Sequence, residues 1–305
     1  MVIRWIIILS AYGYLIYRLV TFSDYQSLSL YFQNAGLLEY GCLLLALLLF
    51  PANISVEAIK WKYLINYTEP VTYRQALCQT YFGFVGGFFT PSRIGDYPAR
   101  AVYISKENRV AAIGIGFIGS FALIFLHITA GLIACFFLSK NLPYKSAIIT
   151  TSGICLVLIL LFAVFYRQLF YFLSKVIKKE SIRQPLVIMQ QLTHRRFIVA
   201  IFFSFVRYLI YSFQLFLVLK FCSVSLSLTQ ALTLIPIYYM LLTVTPSVPV
   251  ADVAIRGSWA MIVFSLVTDN SAAVAMAAVI LWTINSILPM LVGSMIAYKG
   301  KSYYS

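Results

Sequence analysis

Residues 111–138 read AAIGIGFIGSFALIFLHITAGLIACFFL and contain no aspartate, glutamate, lysine or arginine. A helix needs about 20 mainly apolar residues to cross a hydrocarbon core of roughly 30 Å, and this stretch is longer than that. The runs Gly41–Pro51 and Ala147–Phe165 are similarly apolar. The sequence therefore predicts an α-helical protein that crosses a lipid bilayer several times.

Composition supports the same class. Of the 305 residues, 62% are hydrophobic and 10% are charged, whereas soluble domains carry about 25% charged residues. The net charge of +14 would suggest nucleic acid in a soluble protein, but here the basic residues lie beside apolar spans, so membrane topology explains them. The five cysteines form no C-x-x-C pair, so we expect no disulfide, metal or other cofactor.

The apolar pattern predicts about six full spans, near 2–21, 37–58, 110–138, 146–166, 197–219 and 272–298. The first has no small-residue cleavage site after it and is interpreted as a retained span. Two further apolar regions, 75–104 and 228–267, are interrupted. We predict an all-α polytopic membrane protein with six spans plus two re-entrant broken-helix hairpins in inverted arrangement. The single domain would comprise a half at 1–166, a basic connector at 167–196 and a half at 197–298.

The distribution of lysine and arginine predicts orientation, because cytoplasmic loops carry the excess of these residues. The largest basic block lies in the connector, so we expect the connector to be cytoplasmic. Both termini are then also cytoplasmic if the two interrupted regions dip into the membrane from opposite sides. The connector also alternates aromatic and basic residues between 168 and 184. It is interpreted either as an interfacial segment against anionic headgroups or as a solvated loop that only sets orientation.

The two interrupted regions share a pattern, T-P-S followed by a short spacer and D-x-x-x-R. Proline breaks a helix but suits the first turn of a new one, with threonine before it as a cap. Broken helices at matching places in two halves indicate a transporter binding site. The predicted half-helix starts are Thr90, Pro91 and Ser92 in the first region and Thr245, Pro246 and Pro249 in the second.

The charged residues of these motifs are candidates for lipid binding. A helix start attracts anions such as phosphate, and a guanidinium group binds phosphate bidentately. Arg207 lies midway along a span, which indicates either a functional role or a structural pair with Asp252 or Glu57. His127 is interpreted as a helix-to-helix hydrogen bond or, alternatively, a proton relay. The predicted substrate-binding residues are Arg93, Asp96, Arg100, Arg207, Asp252 and Arg256; none is predicted to be catalytic.

The stretch Gly86–Tyr103, GGFFTPSRIGDYPARAVY, resembles a motif of the lysylphosphatidylglycerol synthase transmembrane family. Pro91, Ile94, Gly95, Asp96 and Arg100 carry the match. The segment Pro249–Arg256 is similar to the family's second proline-rich motif. This resemblance implies a flippase-like membrane protein, free-standing and with two re-entrant helices at its centre, that moves a polar-headed lipid between leaflets.

Together these observations favour a translocase for a phosphate-bearing lipid in a bacterial cytoplasmic membrane. The lipid would be an anionic or aminoacylated phospholipid or a polyprenyl phosphate, and nucleic acid is not expected as a partner. Two other hypotheses stay open: a non-catalytic scaffold for a separate lipid-modifying synthase, and an integral-membrane lipid-phosphate transferase. A homodimer is also left open.

Overall fold

The computed structural model describes residues 36–138, 145–177, 179–247 and 251–299, and these residues form helices, turns and no strand. The prediction of an all-helical polytopic membrane protein is confirmed. The predicted first span at 2–21 and the proposed helix start at Pro249 lie outside the described residues.

The helices follow one another along the chain with short connections. They are α1 (Leu37–Ile65), α2 (Tyr73–Phe88), α3 (Asp96–Ala101), α4 (Arg109–Phe137), α5 (Lys145–Val176), α6 (Glu180–Gln190), α7 (His194–Phe221), α8 (Leu228–Val244), α9 (Asp252–Phe264), α10 (Ser271–Trp282) and α11 (Leu288–Lys299). A 3-10 turn, Pro91–Arg93, precedes α3, and a π-helical turn, Thr283–Ile287, joins α10 to α11.

Five of the helical segments in the described residues are long and apolar enough to cross a membrane. They are α1, α4, Ser146–Val176 of α5, α7, and Ser271–Ile296, which runs through α10, the π-helical turn and α11. These five segments correspond to the predicted spans that begin near 37, 110, 146, 197 and 272. The apolar pattern of the sequence therefore locates the full spans well.

The two interrupted regions each form a helical hairpin. In the first, Phe82 of α2 contacts Tyr103, just beyond α3, with their rings 5.1 Å apart. In the second, the rings of Tyr238 in α8 and Phe264 in α9 lie 6.0 Å apart, and Trp259 donates a hydrogen bond to Thr245. In each case residues before the break contact residues in or just beyond the second helix, so the chain reverses direction between the two helices.

Both hairpins begin with the same capping device. The Thr72 hydroxyl accepts from the Gln75 amide while the Gln75 side chain accepts from the Thr72 amide, and Ser227 and Gln230 do the same before α8. Such a capping box satisfies two amides that a helix start leaves without partners. Thr72 and Ser227 are 155 residues apart, the interval that also separates Thr90 from Thr245. The capping box and the T-P-S turn thus recur at the same spacing in both hairpins.

The chain divides into two compact units, each of which contains one hairpin. The first-hairpin unit comprises the described residues of Ala52–Leu126, Gly153–Tyr208 and Leu288–Ser305. Its core includes Trp61 and Tyr97, which are buried with Ile104 and Ala112. The second-hairpin unit comprises the described residues of Met1–Pro51, His127–Ser152 and Leu209–Ile287.

Loss of either capping box should destabilise the fold measurably. Thr72→Ala and Ser227→Ala each remove a hydroxyl that caps a helix, which costs about 1 kcal/mol. We expect both variants to lower the thermal midpoint of the detergent-purified protein. Thr150→Ala is the control, because the Thr150 hydroxyl bonds back to the Ser146 carbonyl within α5 and caps no helix start. Equal midpoints for all four proteins would contradict this role.

Candidate functional site

The turn of the first hairpin has an unusual backbone. Ser92 and Arg93 both adopt left-handed conformations, with φ of 48° and 58°, which non-glycine residues seldom occupy. Thr90 holds the turn: its hydroxyl donates to the Gly86 carbonyl at 3.0 Å and accepts from the Gly95 amide at 2.8 Å. Thr90 therefore joins the end of α2 to the residue that precedes α3.

Two glycines let α3 lie directly against α2. A Cβ atom on Gly86 would stand 2.6 Å from the Gly95 carbonyl oxygen, and one on Gly83 would stand 2.7 Å from Nε of Arg100. Neither position has room for a side chain. Because Gly83 lies beneath the pair of Asp96 and Arg100, the close approach of the two helices sets the position of that pair.

Arg100 is 1% exposed and its guanidinium group is surrounded by partners. Nε donates to Asp96 at 2.6 Å and Nη2 donates to the other carboxylate oxygen at 3.1 Å, so the pair is bidentate. Nη1 donates to Glu57 at 3.0 Å. The guanidinium carbon also lies 5.3 Å from the ring centre of Trp61 and 5.0 Å from that of Tyr97. These contacts fix the orientation of Arg100 by hydrogen bonds and by aromatic faces.

Glu57 of α1 is the centre of this charge cluster. Its Oε1 accepts from Arg100, and its Oε2 accepts from Arg207 of α7 at 2.6 Å and from Lys60 at 2.8 Å. Arg207 in turn donates from Nε to the Asn53 side chain at 2.9 Å. The Glu57 side chain is 1% exposed. One carboxylate therefore binds three cations from three helices.

The charge cluster, defined as Glu57, Lys60, Asp96, Arg100 and Arg207, contains three cations and two carboxylates. Burying charges in a region of low dielectric constant is costly unless each one is paired. Here every member has an ionic partner, and one positive charge remains in excess. The cluster is therefore both a structural network and a source of positive potential beside the first hairpin.

The sequence profile of the lysylphosphatidylglycerol synthase transmembrane region matches residues 2–293, which is nearly the whole chain. The chain belongs to this family. No curated protein matched the sequence. Membership of the lysylphosphatidylglycerol synthase transmembrane family confirms the resemblance based on Gly86–Tyr103 and indicates a function related to membrane lipids.

Within this family member, the structure brings three of the predicted binding residues together. Asp96, Arg100 and Arg207 share the charge cluster. The structure also pairs Arg207 with Glu57, which was one of the two carboxylates predicted as its structural partner. Arg93 lies apart from these ion pairs, with its guanidinium carbon 4.6 Å from the ring centre of Phe84, and is half-buried.

The other two predicted residues lie in the second hairpin. Arg256 donates from Nε to Asp252 at 3.0 Å, and Asp252 also accepts from the Trp282 indole at 2.9 Å. The side chains of Arg256 and Asp252 are 25% and 19% exposed, whereas those of Arg100 and Asp96 are 2% and 13% exposed. Both D-x-x-x-R motifs thus form the expected same-face pair, and the second is the more accessible one.

The helices that carry these pairs begin later than the T-P-S residues. Thr90 caps only the 3-10 turn, and α3 begins at Asp96. Thr245 is the C-cap of α8. Pro246 and Ser247 follow it in the connection, and α9 begins only at Asp252. Proline and threonine therefore mark the break in each hairpin, while the aspartate starts the new helix and places its carboxylate in the first turn, where it is favourable.

Sequence reasoning did not identify Asn53, Glu57 and Lys60 as one set. Asn53, Glu57 and Lys60 follow the spacing i, i+4, i+7, which places them on one face of α1. A polar stripe of this kind within an apolar span is a usable signal, because polar groups inside a membrane helix face the protein interior.

His127 makes the helix-to-helix contact that was one of its two predicted roles. Its Nδ1 lies 2.9 Å from the Thr243 hydroxyl, and its ring stacks on Tyr239.

Removing the central carboxylate should destabilise this protein strongly. Glu57→Gln leaves Lys60, Arg100 and Arg207 buried with too little negative charge, which costs about 3–5 kcal/mol. We expect a large fall in the thermal midpoint, and partial recovery when Arg207→Gln is added, because that change removes one uncompensated cation. Glu180→Gln is the control, since Glu180 pairs with Arg183 at the exposed surface and its loss should change little. An equally small effect for Glu57→Gln would contradict the central role.

Close packing of the first hairpin should make Gly83 sensitive to a single methyl group. The Cβ atom of Gly83→Ala would collide with Asp96 Oδ1 and Arg100 Nε, so we expect a loss of about 1–3 kcal/mol in stability. Gly153→Ala is the matched control, because a Cβ atom there meets nothing within 4 Å. Thermal unfolding of both variants in detergent measures the difference. Equal midpoints would show that α2 and α3 are not held at this distance.

Proposed function

We propose that the protein translocates a phosphate-bearing lipid between the leaflets of a bacterial cytoplasmic membrane. Family membership supports a lipid-related role, and the buried charge cluster supports an anionic headgroup as the ligand. The proposed substrates are an anionic or aminoacylated phospholipid or a polyprenyl phosphate. The acyl chains would stay in the bilayer while the headgroup crosses beside the protein's polar groups.

The observation that carries this proposal is the charge cluster of Glu57 with its three cations. Inserting an arginine at the centre of a membrane helix costs about 2.5–3.5 kcal/mol of free energy on insertion scales. Charged residues inside a membrane are therefore rare and usually have a functional role. The excess positive charge lies where the first hairpin turns back. A phosphate group that entered this region would be attracted without displacing any of the ion pairs.

Arg93 is the proposed first contact for the phosphate. It lies on the face of Phe84, outside the ion pairs of Arg100 and Arg207, and its side chain is only partly buried. Arg100 and Arg207 already donate to carboxylates, so their proposed part is to supply potential rather than direct bidentate contact. Arg256 and Asp252, which are more exposed, are the proposed headgroup contacts of the second hairpin.

Both hairpins are proposed to be re-entrant. With a rise of 1.5 Å per residue, α2 is about 24 Å long, α8 about 26 Å, α9 about 20 Å and α3 only about 9 Å. A hydrocarbon core is roughly 30 Å thick, so none of these helices would cross it alone. We further propose that the hairpins enter from opposite sides and that both termini are cytoplasmic, as the positive-inside rule predicts.

Reconstitution tests the proposed translocation and the role of Arg93. The vesicles contain the purified protein and a tail-labelled fluorescent anionic lipid, and a membrane-impermeant reductant is added to quench the outer leaflet. If the protein moves lipid, the fraction of fluorescence lost should exceed the fraction of labelled lipid that starts in the outer leaflet. Arg93→Gln should slow this exchange about tenfold, the loss expected for one charge-assisted contact. Arg74→Gln is the matched control, because Arg74 is exposed at the start of the same hairpin.

Two outcomes would replace the proposal, and a third would revise it. If wild-type protein moves no anionic or zwitterionic lipid, and a lipid synthase co-purifies with it from native membranes, the scaffold hypothesis is favoured. Formation of a new lipid product by the purified protein, abolished by Asp96→Asn, would favour the lipid-phosphate transferase. Equal exchange rates for Arg93→Gln and Arg74→Gln would retain translocation but remove Arg93 from the binding site.

A further inference from the structure

The basic connector between the two predicted sequence halves carries a surface that the proposed translocation does not use. Residues 167–196 contain seven lysines and arginines and one glutamate, Glu180. The connector comprises the last turns of α5, the helix α6 and the start of α7. The sequence allows two interpretations of its aromatic and basic residues, an interfacial segment or a solvated loop.

Helix α5 is longer than a membrane span requires. Its 32 residues extend over about 48 Å, compared with a hydrocarbon core of roughly 30 Å. Apart from Lys145 at its first position, the basic residues of this helix are Arg167 and Lys175, which follow the apolar span and lie in the last three turns. We therefore expect the last turns of α5 to lie at the level of the lipid headgroups.

One face of α5 is apolar and exposed along much of its length. Within its most apolar window only 11% of the residues are buried, a smaller share than in the other four spanning segments of the described chain. The exposed stripe consists of Leu158, Leu161, Phe165, Leu169, Phe172 and Val176. Residues spaced by three and four lie on one helical face, so this stripe leads without interruption to the last turn of α5.

A cleft of about 530 Å³ is lined by Ser174, Lys175, Ile177, Arg183 and Val187. Of these residues, Lys175 connects the cleft with the stripe, because it follows Phe172 by three residues and is exposed. Lys175 stacks on the ring of Tyr171 at 4.3 Å, and in the described part of the chain no carboxylate pairs with it. The cleft thus combines two cations, a hydroxyl and two apolar side chains.

The position of α6 keeps the cleft open. Leu186 and Met189 are buried against Leu64, Ile115 and Ala200, so one face of α6 is fixed to the core of the first-hairpin unit. Arg183 and Val187 border this buried face and are exposed. Arg183 donates to Glu180 within α6, and these hydrogen bonds, together with one from Gln184, hold the pKa of Glu180 below its ordinary value.

We propose that this cleft binds the headgroup of an anionic phospholipid whose acyl chain lies along the exposed stripe of α5. Lys175 binds the phosphate together with Arg183, whose pair with Glu180 is solvent-exposed and therefore weak, unlike the buried pairs of Arg100 and Arg207. Phe172 and Val176 contact the first part of the chain. Charge complementarity selects an anionic ligand, and the exposed apolar stripe, in which Phe172 lies one helical turn before Lys175, selects a lipid rather than a soluble phosphate. The site is separate from the charge cluster and does not depend on the proposed translocation.

Lipid retention in native mass spectrometry tests this site on the full chain. The protein is purified with a mixture of phosphatidylglycerol and phosphatidylcholine that have identical acyl chains. We expect the wild type to retain phosphatidylglycerol preferentially, and the double variant Lys175→Gln, Arg183→Gln to lose about tenfold or more of that preference, since each basic residue at a membrane surface contributes about a fewfold change in anionic lipid binding. Lys106→Gln, Lys220→Gln is the matched control, because both of its lysines are exposed elsewhere.

Two further measurements separate the alternatives. Phe172→Ser, Val176→Ser should weaken retention of both lipids, whereas soluble glycerophosphoglycerol or inorganic phosphate should not compete with the lipid. A double variant that keeps the wild-type preference overturns the proposal, as does an equal loss in the control pair. Effective competition by inorganic phosphate, or protection of Phe172 by a second copy of the chain in place of lipid, would also overturn it.

Discussion

The fold of the first-hairpin unit depends on one carboxylate that accepts hydrogen bonds from three cations. Glu57 connects α1 to α3 through Arg100 and to α7 through Arg207. In an apolar environment these groups have no water as an alternative partner, so each pair is strong and each unpaired charge is costly. The same carboxylate that joins the helices thereby keeps three positive groups beside the turn of the hairpin.

Much of the fold was predictable because membrane spans have a strong sequence signal. Long, mainly apolar runs predict the five described spans, and proline after threonine predicts both helix breaks. The D-x-x-x-R spacing predicts pairs on one helical face, as Asp96 with Arg100 and Asp252 with Arg256 show. These features are local, so neighbouring residues determine them.

The centre of the charge cluster was harder to predict because its contacts are not local. Glu57 is 43 residues from Arg100 and 150 residues from Arg207. Near the end of an apolar run, a glutamate is equally compatible with contact to the interface. The place where α3 begins was also missed, because the left-handed backbone of Ser92 and Arg93 delays the new helix to Asp96. Neither residue type favours that conformation on its own.

Three tryptophans contact polar groups of the two hairpins, which makes their fluorescence sensitive to the arrangement of these groups. Trp61 donates to Gln79 and faces Arg100, Trp259 donates to Thr245, and Trp282 donates to Asp252. Three of the chain's four indoles thus contact residues of the two hairpins or their partners. Indole emission changes with nearby charge and hydrogen bonding, so the unlabelled protein carries its own spectroscopic reporters at both hairpins.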